Sequence, residues 1–232
     1  MGWTARGLSA AAHYAAAMAH ISAVCIVHGL LPEPNNPDGT TAIDKRPVPG
    51  PVPVGFRGLA GDLQKDLAHH GGQEYAVYLY ADEDAQRWAG ELGRDIPAGL
   101  FGENLRTHGL DVSGLVIGSR YRIGASGLEV EVTSPRNPCA TFARRMGEPQ
   151  WVKRFTKGRA PGAYVRVLTP GTVQSGDAIE ELDVPAHGIT VADVMKPAQP
   201  GSAGALLAAD AAGEVELGPR MRSDATKEAS RG

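Results

Sequence analysis

The sequence predicts a mainly β protein whose strands form a closed or nearly closed β-barrel carrying a few short helices. Two observations carry this. Apolar alternation recurs in short segments between turns: Gly118 to Ile123 and Leu128 to Val132 flank Gly124-Ala125-Ser126-Gly127, and Ala163 to Leu168 and Ala178 to Leu182 flank Pro170-Gly171 and Ser175-Gly176-Asp177. Helical spacing is confined to short stretches between such strands, and 30 glycines with 17 prolines leave little room for long helices.

In chain order, residues 1–19 are expected to be a disordered leader, with Met18 as an alternative start. Ala10 to Ala19 is alanine-rich, but only Arg6 supplies positive charge and His13 and His20 interrupt the apolar run, so a signal peptide is disfavoured. A barrel domain is placed at 20–188, opening with a strand at Ile21 to His28 in which Cys25 is a core residue. Leu31 to Gly58 holds seven prolines and reads as a long loop. Within it Lys45-Arg46 precedes Pro47 and is either a solvated pair or an anion clamp.

Gly58 to Gly72 is dense in glycines, acids and histidines. Asp62, Asp66, His69 and His70 lack zinc-ligand spacing. Two readings remain: Gly71 and Gly72 bring backbone N–H groups to a ligand while His69 or His70 supplies a hydrogen bond or proton, or the segment is a tight turn closed by an Asp–His hydrogen bond. Glu74 to Tyr80 reads as a strand, and Asp82 caps a helix with Ala85, Trp88, Ala89 and Leu92 on one face and Gly93 at its end. The polar pair Glu103-Asn104 between Phe101 and Leu105 either knits a loop to the barrel wall or hydrogen-bonds the edge of a heterocycle.

The stretch with the clearest chemistry is Ser134-Pro135-Arg136-Asn137-Pro138-Cys139. Two prolines stiffen it, holding Ser134 and Asn137 extended. Cys139, Phe142, Ala143 and Met146 then recur at helical spacing up to Gly147, so the thiol starts a short helix, beside Arg136 and with Arg144 and Arg145 following. That setting favours the thiolate, the form that attacks electrophiles and binds soft metals. The competing reading is a cysteine packed as a small hydrophobe. A second helix runs from Pro149 to Gly158 through Trp151 and Phe155. Thr190 to Asp193 is a capping box, but Pro197 and Pro200 follow, and Leu206, Leu207 and Val215 are too few for a core. Residues 189–232 are therefore expected to be a short helix and a degenerate, partly disordered tail.

A formal net charge of −3 argues against stable nucleic-acid binding and leaves room for a local basic pocket. Two cysteines in unrelated contexts point to a reducing, cytoplasmic setting, and no run is long and apolar enough to span a membrane.

The ordered set Lys45-Arg46-Pro47, Gly61-Asp62, His70-Gly71-Gly72, Phe101-Gly102-Glu103-Asn104-Leu105, Pro135-Arg136-Asn137-Pro138-Cys139, Gly158-Arg159 with Gly162-Ala163-Tyr164, and Pro170-Gly171 through Gly176-Asp177 resembles the MOSC domain, found at the C-terminus of molybdenum cofactor sulfurases. Its stand-alone YiiM-type branch is most similar, over about Ile21 to Gly188. The resemblance implies a MOSC-type barrel, a molybdenum cofactor (molybdopterin) with Cys139 as metal ligand, and reduction of small N-hydroxylated substrates such as hydroxylaminopurines. Pyridoxal phosphate binding is a further, weaker family term. On this reading Lys45, Arg46, Gly71, Gly72, Asn104, Arg136 and Arg159 hold the cofactor, and His70 and Asp62 join Cys139 as catalytic residues. The chain has no flavin fingerprint and no iron–sulfur spacing, so a separate electron-donating reductase is implied. Two other readings are a cofactor carrier or sulfur-delivery module without turnover, and a metal-free cysteine nucleophile assisted by His70.

Overall fold

Strand β1 (His20–Pro32) begins where the apolar run Ile21 to Val27 sets in, and its length lets it serve two neighbours. Its first half pairs with β6 (Leu105–His108) and its second with β2 (Thr40–Pro47), with register shifts that bend it between the two. This computed structural model describes residues 18–65, 72–196 and 201–230. The expected leader lies outside them except for its last two residues.

The remaining main strands are β5 (Val77–Ala81), β7 (Arg120–Ile123), β8 (Leu128–Pro135), β9 (Ala163–Thr169) and β11 (Ile179–Asp183). The sheet runs β11-β7-β8-β9-β5-β6-β1-β2. Among the described residues its only parallel pair, β5 with β6, is bridged by helix α1 (Asp82–Leu92), the crossover that parallel neighbours require. The order has two ends, yet Ile21 N–H donates to Asp177 C=O (2.8 Å), Ile179 N–H donates to Ala19 C=O (2.8 Å), and His20 bridges Ala178. The fold is thus mainly sheet with short helices, and the barrel is approximate: β1 meets the start of β11, and β2 projects beyond the ring. A small sheet of β3 (Val52–Gly55), β4 (Gly58–Leu59) and β10 (Gly171–Val173) covers one flank.

Strand periodicity divides the core. All five residues of β5 are buried, with Val77, Leu79 and Ala81 in the main apolar core and Tyr78 and Tyr80 on the opposite face. The tyrosines join an aromatic cluster of Trp88 on α1, Phe101, Phe142 on α2 (Ala140–Met146), and Trp151 and Phe155 on α3 (Trp151–Gly158). Phe142 and Phe155 meet edge to face at 5.0 Å between ring centres. Burying each such ring contributes about 1.5–3 kcal/mol. This cluster anchors α2, and with it Cys139, to the sheet.

Several expectations are corrected. The proline-rich stretch from Leu31 to Gly58 contains β2 and β3 rather than one loop. Glu74 and Tyr75 lie in a 3-10 turn, and the strand starts at Val77. Ala81, not Asp82, is the N-cap of α1; Asp82, Glu83 and Asp84 occupy its first turn, where negative charge is favoured. The expected capping box at Thr190 opens α4 (Val191–Met195). Beyond it, where a degenerate tail was expected, stand α5 (Ser202–Ala211) and α6 (Pro219–Ala229). Leu206, Ala209, Val215, Leu217 and Met221 are buried in the barrel's own core cluster, so the helices need no separate core. Gly118, at φ 87°, leaves the space Val215 fills: a Cβ there would lie 2.7 Å from a Val215 methyl.

Candidate functional site

A pocket of about 250 Å³ lies on the outer face of β5 and β9, walled by β2 and the start of α2. Tyr78 and Tyr164 are cross-strand partners with ring centres 5.0 Å apart and form its aromatic floor. Cys139 is the N-cap of α2 with φ −122° and ψ 174°, and its carbonyl accepts from Ala143 N–H at 3.0 Å. Pro135, paired with Ala163 at the end of β8, and Pro138 fix the chain on its approach. Cys139 is part-exposed and outside any disulfide. Cys25 is the opposite case: fully buried, with its thiol pushed up to about 12 by burial and then by the charge of Glu103. Iodoacetamide at mildly alkaline pH is therefore expected to label Cys139 and spare Cys25, and peptide mapping that finds Cys25 modified in the folded protein would contradict this.

Four cations line the pocket with Cys139: Lys45, Lys65, Arg136 and Arg144. Among the described residues no Asp or Glu lines it. Lys45 is held by Asp62 at 2.6 Å, Lys65 by Asp38, and Arg144 by Glu33, whose carboxyl that guanidinium keeps below the usual range. Arg144 is also coupled electrostatically to Cys139.

Arg136 differs. It is buried, its guanidinium lies 3.9 Å from the Phe142 ring centre, and it donates to Asn137 C=O at 3.2 Å. Among the described residues it has no carboxylate partner, and its buried Nε–H has no acceptor. A buried cation left this way is costly unless an anion completes it.

Of the residues singled out in the sequence, Cys139, Lys45, Asn104 and Arg136 share this pocket. Arg46 does not: successive strand residues face opposite sides, so Lys45 enters the pocket while Arg46 is exposed and pairs with Asp44 at 3.1 Å. Arg159 does not either; it sits in the left-handed region at φ 51° and donates to Asp193 on α4 (2.8 Å) and to Lys196 C=O. Gly72, at φ 98°, is exposed and not in the lining. His70 and Gly71 lie outside the described residues.

Asp62, expected to move protons, is occupied as an anchor. Oδ1 accepts from Val27 N–H (2.9 Å), and Oδ2 from Lys45 Nζ (2.6 Å) and Asn104 Nδ2 (2.7 Å). Asn104 accepts from Tyr78 N–H at 3.1 Å, and Glu103 accepts from Gly99 N–H (2.7 Å) and Phe101 N–H (3.1 Å), so this polar pair knits loop to sheet while Asn104 also reaches the pocket.

The sequence reading missed Lys65, Thr141 and the tyrosines 75, 78 and 164 as lining residues. Tyr164 was legible: it stands between the core residues Ala163 and Val165, so strand alternation puts it on the outer face. Burial raises the pKa of Tyr78 and Tyr164, keeping both protonated. Among the described residues no three His, Cys, Asp or Glu side chains cluster to hold a metal, and no helix is long and apolar enough to cross a membrane.

The family model of the MOSC domain matches residues 66–180. YiiM of Escherichia coli (strain K12) is 32% identical over 159 residues, covering 67% of this chain and 70% of YiiM. A protein named Reductase from Gibberella moniliformis is 32% identical over 160 residues, 68% of this chain, although the match spans only 28% of that longer protein. The crystal structure of YiiM from Geobacillus stearothermophilus superposes with a TM-score of 0.72 over 91% of this chain and 99% of its own, at 24% identity, and so shares the fold. With the sequence match to YiiM, the family model and the shared architecture in agreement, the chain belongs to the MOSC domain family, in its YiiM-type branch.

Proposed function

We propose that this chain binds a molybdenum–pterin cofactor in the Cys139 pocket, with the Cys139 thiolate as metal ligand, and reduces small N-hydroxylated compounds there. The observation that carries the reading is the pocket itself: among the described residues, a part-exposed Cys139 with four cations, no lining acid, and a buried Arg136 that lacks a carboxylate partner. That donor set fits the group. A soft thiolate suits a metal held by sulfur, and the cations suit a phosphate-bearing ligand. The relative named Reductase, matched over 28% of its length, supports a reductive activity for this chain.

The reaction is R–NH–OH + 2e⁻ + 2H⁺ → R–NH₂ + H₂O, in which the N–O bond breaks and the oxygen leaves as water. The bound cofactor supplies the two-electron chemistry. The electrons come from a separate flavin- or iron–sulfur-bearing reductase, since two cysteines in the whole chain cannot ligate an iron–sulfur cluster alone. The chain's own residues bind and orient. Arg136, Lys45 and Lys65 hold the anionic end of the cofactor, and Arg144 favours the Cys139 thiolate. Tyr164, which lines the pocket with Cys139, is assigned as a proton source together with His70. Asp62 fixes Lys45 and Asn104.

One observation favours a second reading. The three hydrogen bonds on Asp62 occupy the carboxylate that the sequence reading assigned to proton transfer, and a cofactor carrier needs no proton donor. The test is molybdenum content and multiple-turnover reduction of 6-hydroxylaminopurine by protein purified anaerobically from a cofactor-producing host, with a reduced viologen as electron donor. About one molybdenum per chain with turnover is expected. Molybdenum without turnover, released to an apo-enzyme acceptor, would establish the carrier. No molybdenum, under conditions that load a known cofactor enzyme in parallel, would overturn both readings.

A further inference from the structure

Residues 140–158, from the first residue of α2 to the last of α3, hold five cations and one acid in a chain whose formal net charge is −3. The fold turns this charge outward. In α3, Trp151 and Phe155 stand four residues apart and are buried in the aromatic cluster; Lys153 and Lys157 stand two residues further on, about 200° round the helix, and are exposed. Arg154, between them, pairs with Glu91 (2.8 Å) and Glu148 (3.4 Å), while neither lysine forms an ion pair among the described residues. Glu148 is shared with Arg94 (3.4 Å), which carries the charge across the corner between the two helices.

On the α2 side the carboxylates lie beneath their partners. The Arg144 side chain is 45% exposed and that of Glu33 only 1%. Arg145 and the well-exposed Arg46 share one carboxylate, Asp44, which is 4% exposed. Anything approaching this face therefore meets cations first. The band reaches the functional site at Arg144, which both lines the pocket with Cys139 and is exposed on the outer surface.

The same features narrow what covers it. A helix lying on a membrane needs an apolar face, and the large apolar side chains of α3 are consumed by the aromatic cluster, with only Val152 exposed beside Lys153. A nucleic acid needs a long track of phosphate contacts, whereas the eight residues of α3 span about 12 Å and the whole chain is acidic. A protein with carboxylates around one small apolar contact fits both the charge and the exposed valine. Electron-transfer complexes are of this kind: small, short-lived and steered by opposite charge.

We infer that the α2–α3 face is the docking surface for the electron donor, and that this donor is a small acidic flavin- or iron–sulfur-bearing protein whose carboxylates meet Lys153, Lys157 and Arg46 with its redox group beside the mouth of the Cys139 pocket. The inference rests on the reductase reading above and deepens it by giving the donor a place and a charge. Two reduced one-electron donors are oxidised in each turnover, and their electrons enter the N–O cleavage already written.

Flavodoxin, kept reduced by NADPH and its reductase, and a reduced plant-type ferredoxin serve as acidic probes of the molybdenum-loaded enzyme. Lys153→Glu combined with Lys157→Glu is expected to raise the flavodoxin or ferredoxin concentration for half-maximal 6-hydroxylaminopurine reduction about tenfold or more at low salt, and to weaken binding of the same probe to an immobilised enzyme in parallel. The difference is expected to fade at about 0.5 M salt, while turnover with reduced viologen is unchanged. Arg122→Glu with Lys227→Glu, an equal reversal of charge at exposed positions of β7 and α6, is expected to leave the half-maximal concentration unchanged. Equal effects of the two reversals, no effect of the first, or a wild type that takes electrons from viologen and from neither acidic protein would overturn the inference. So would loss of binding to a short DNA duplex in the α3 variant with donor kinetics intact, which would make the face a nucleic-acid contact. A loaded wild type inactive with every donor would instead overturn the reductase reading, and the binding measurement alone would then decide whether the face receives an acidic protein.

Discussion

Cys139→Ala is expected to empty the protein of molybdenum, and to abolish turnover with it, while leaving the fold intact. The separation follows from where the side chain stands. Cys139 is the N-cap of α2 without a side-chain capping hydrogen bond, and the residue is part-exposed at the edge of the aromatic cluster. Replacing one part-exposed cysteine costs about 1 kcal/mol or less, a shift in Tm of about 2–4 °C for a chain of this size. The metal, by contrast, loses the one thiolate the described pocket offers it. Plasma mass spectrometry on wild type and mutant prepared side by side, with thermal melts of both, checks the result. Full molybdenum in Cys139→Ala would remove Cys139 as the ligand. A collapse of stability alongside metal loss would make the cysteine a packing residue after all.

What could be read ahead of the structure, and what could not, follows the range of the forces involved. The path into Cys139, with prolines fixing the approach, helical spacing through Met146 and Gly147 at φ 68° as the stop, is written in a dozen neighbouring residues. The hairpin of β7 and β8 is equally local. Strand β2 lies in a stretch that reads as loop because it is rich in proline and glycine; what makes it a strand is pairing with β1, from Cys25 against Pro47 to Pro32 against Thr40. Once it is a strand, Lys45 and Arg46 must part company, so the joint clamp could not survive.

The C-terminal helices illustrate the same limit. Counting apolar residues in residues 197–232 asks whether the segment can build a core of its own, and it cannot. Leu206, Val215, Leu217 and Met221 instead complete the core of the barrel, a partner no local count includes. Their place in the fold was therefore invisible in the sequence.

Asp62 shows how far a residue's chemistry can differ from what its type suggests, and Asp62→Ala is expected to destabilise the fold by about 3–5 kcal/mol. Its three donors come from positions 35, 17 and 42 residues away, so one carboxylate ties β1, β2 and the loop before β6 together. Alanine leaves an ammonium, an amide N–H and a backbone N–H without that acceptor, at sites where the Lys45 and Asp62 side chains are only 10% and 6% exposed. The largest of these costs is the unpaired ammonium, and it can be isolated. In a cycle with Lys45→Met, the double mutant no longer buries an orphan charge and should recover about 0.5–3 kcal/mol relative to the sum of the two single changes. Thermal or urea unfolding of the four proteins measures this coupling. A proton-transfer residue behaves differently: Asp62→Asn would abolish turnover and remove a limb of the pH–rate profile with stability and cofactor content unchanged, and Lys45→Met would rescue nothing. That pattern would return Asp62 to the catalytic set. The hydrogen bonds predict the other one, in which stability and cofactor retention fall together and the shape of the pH profile is preserved.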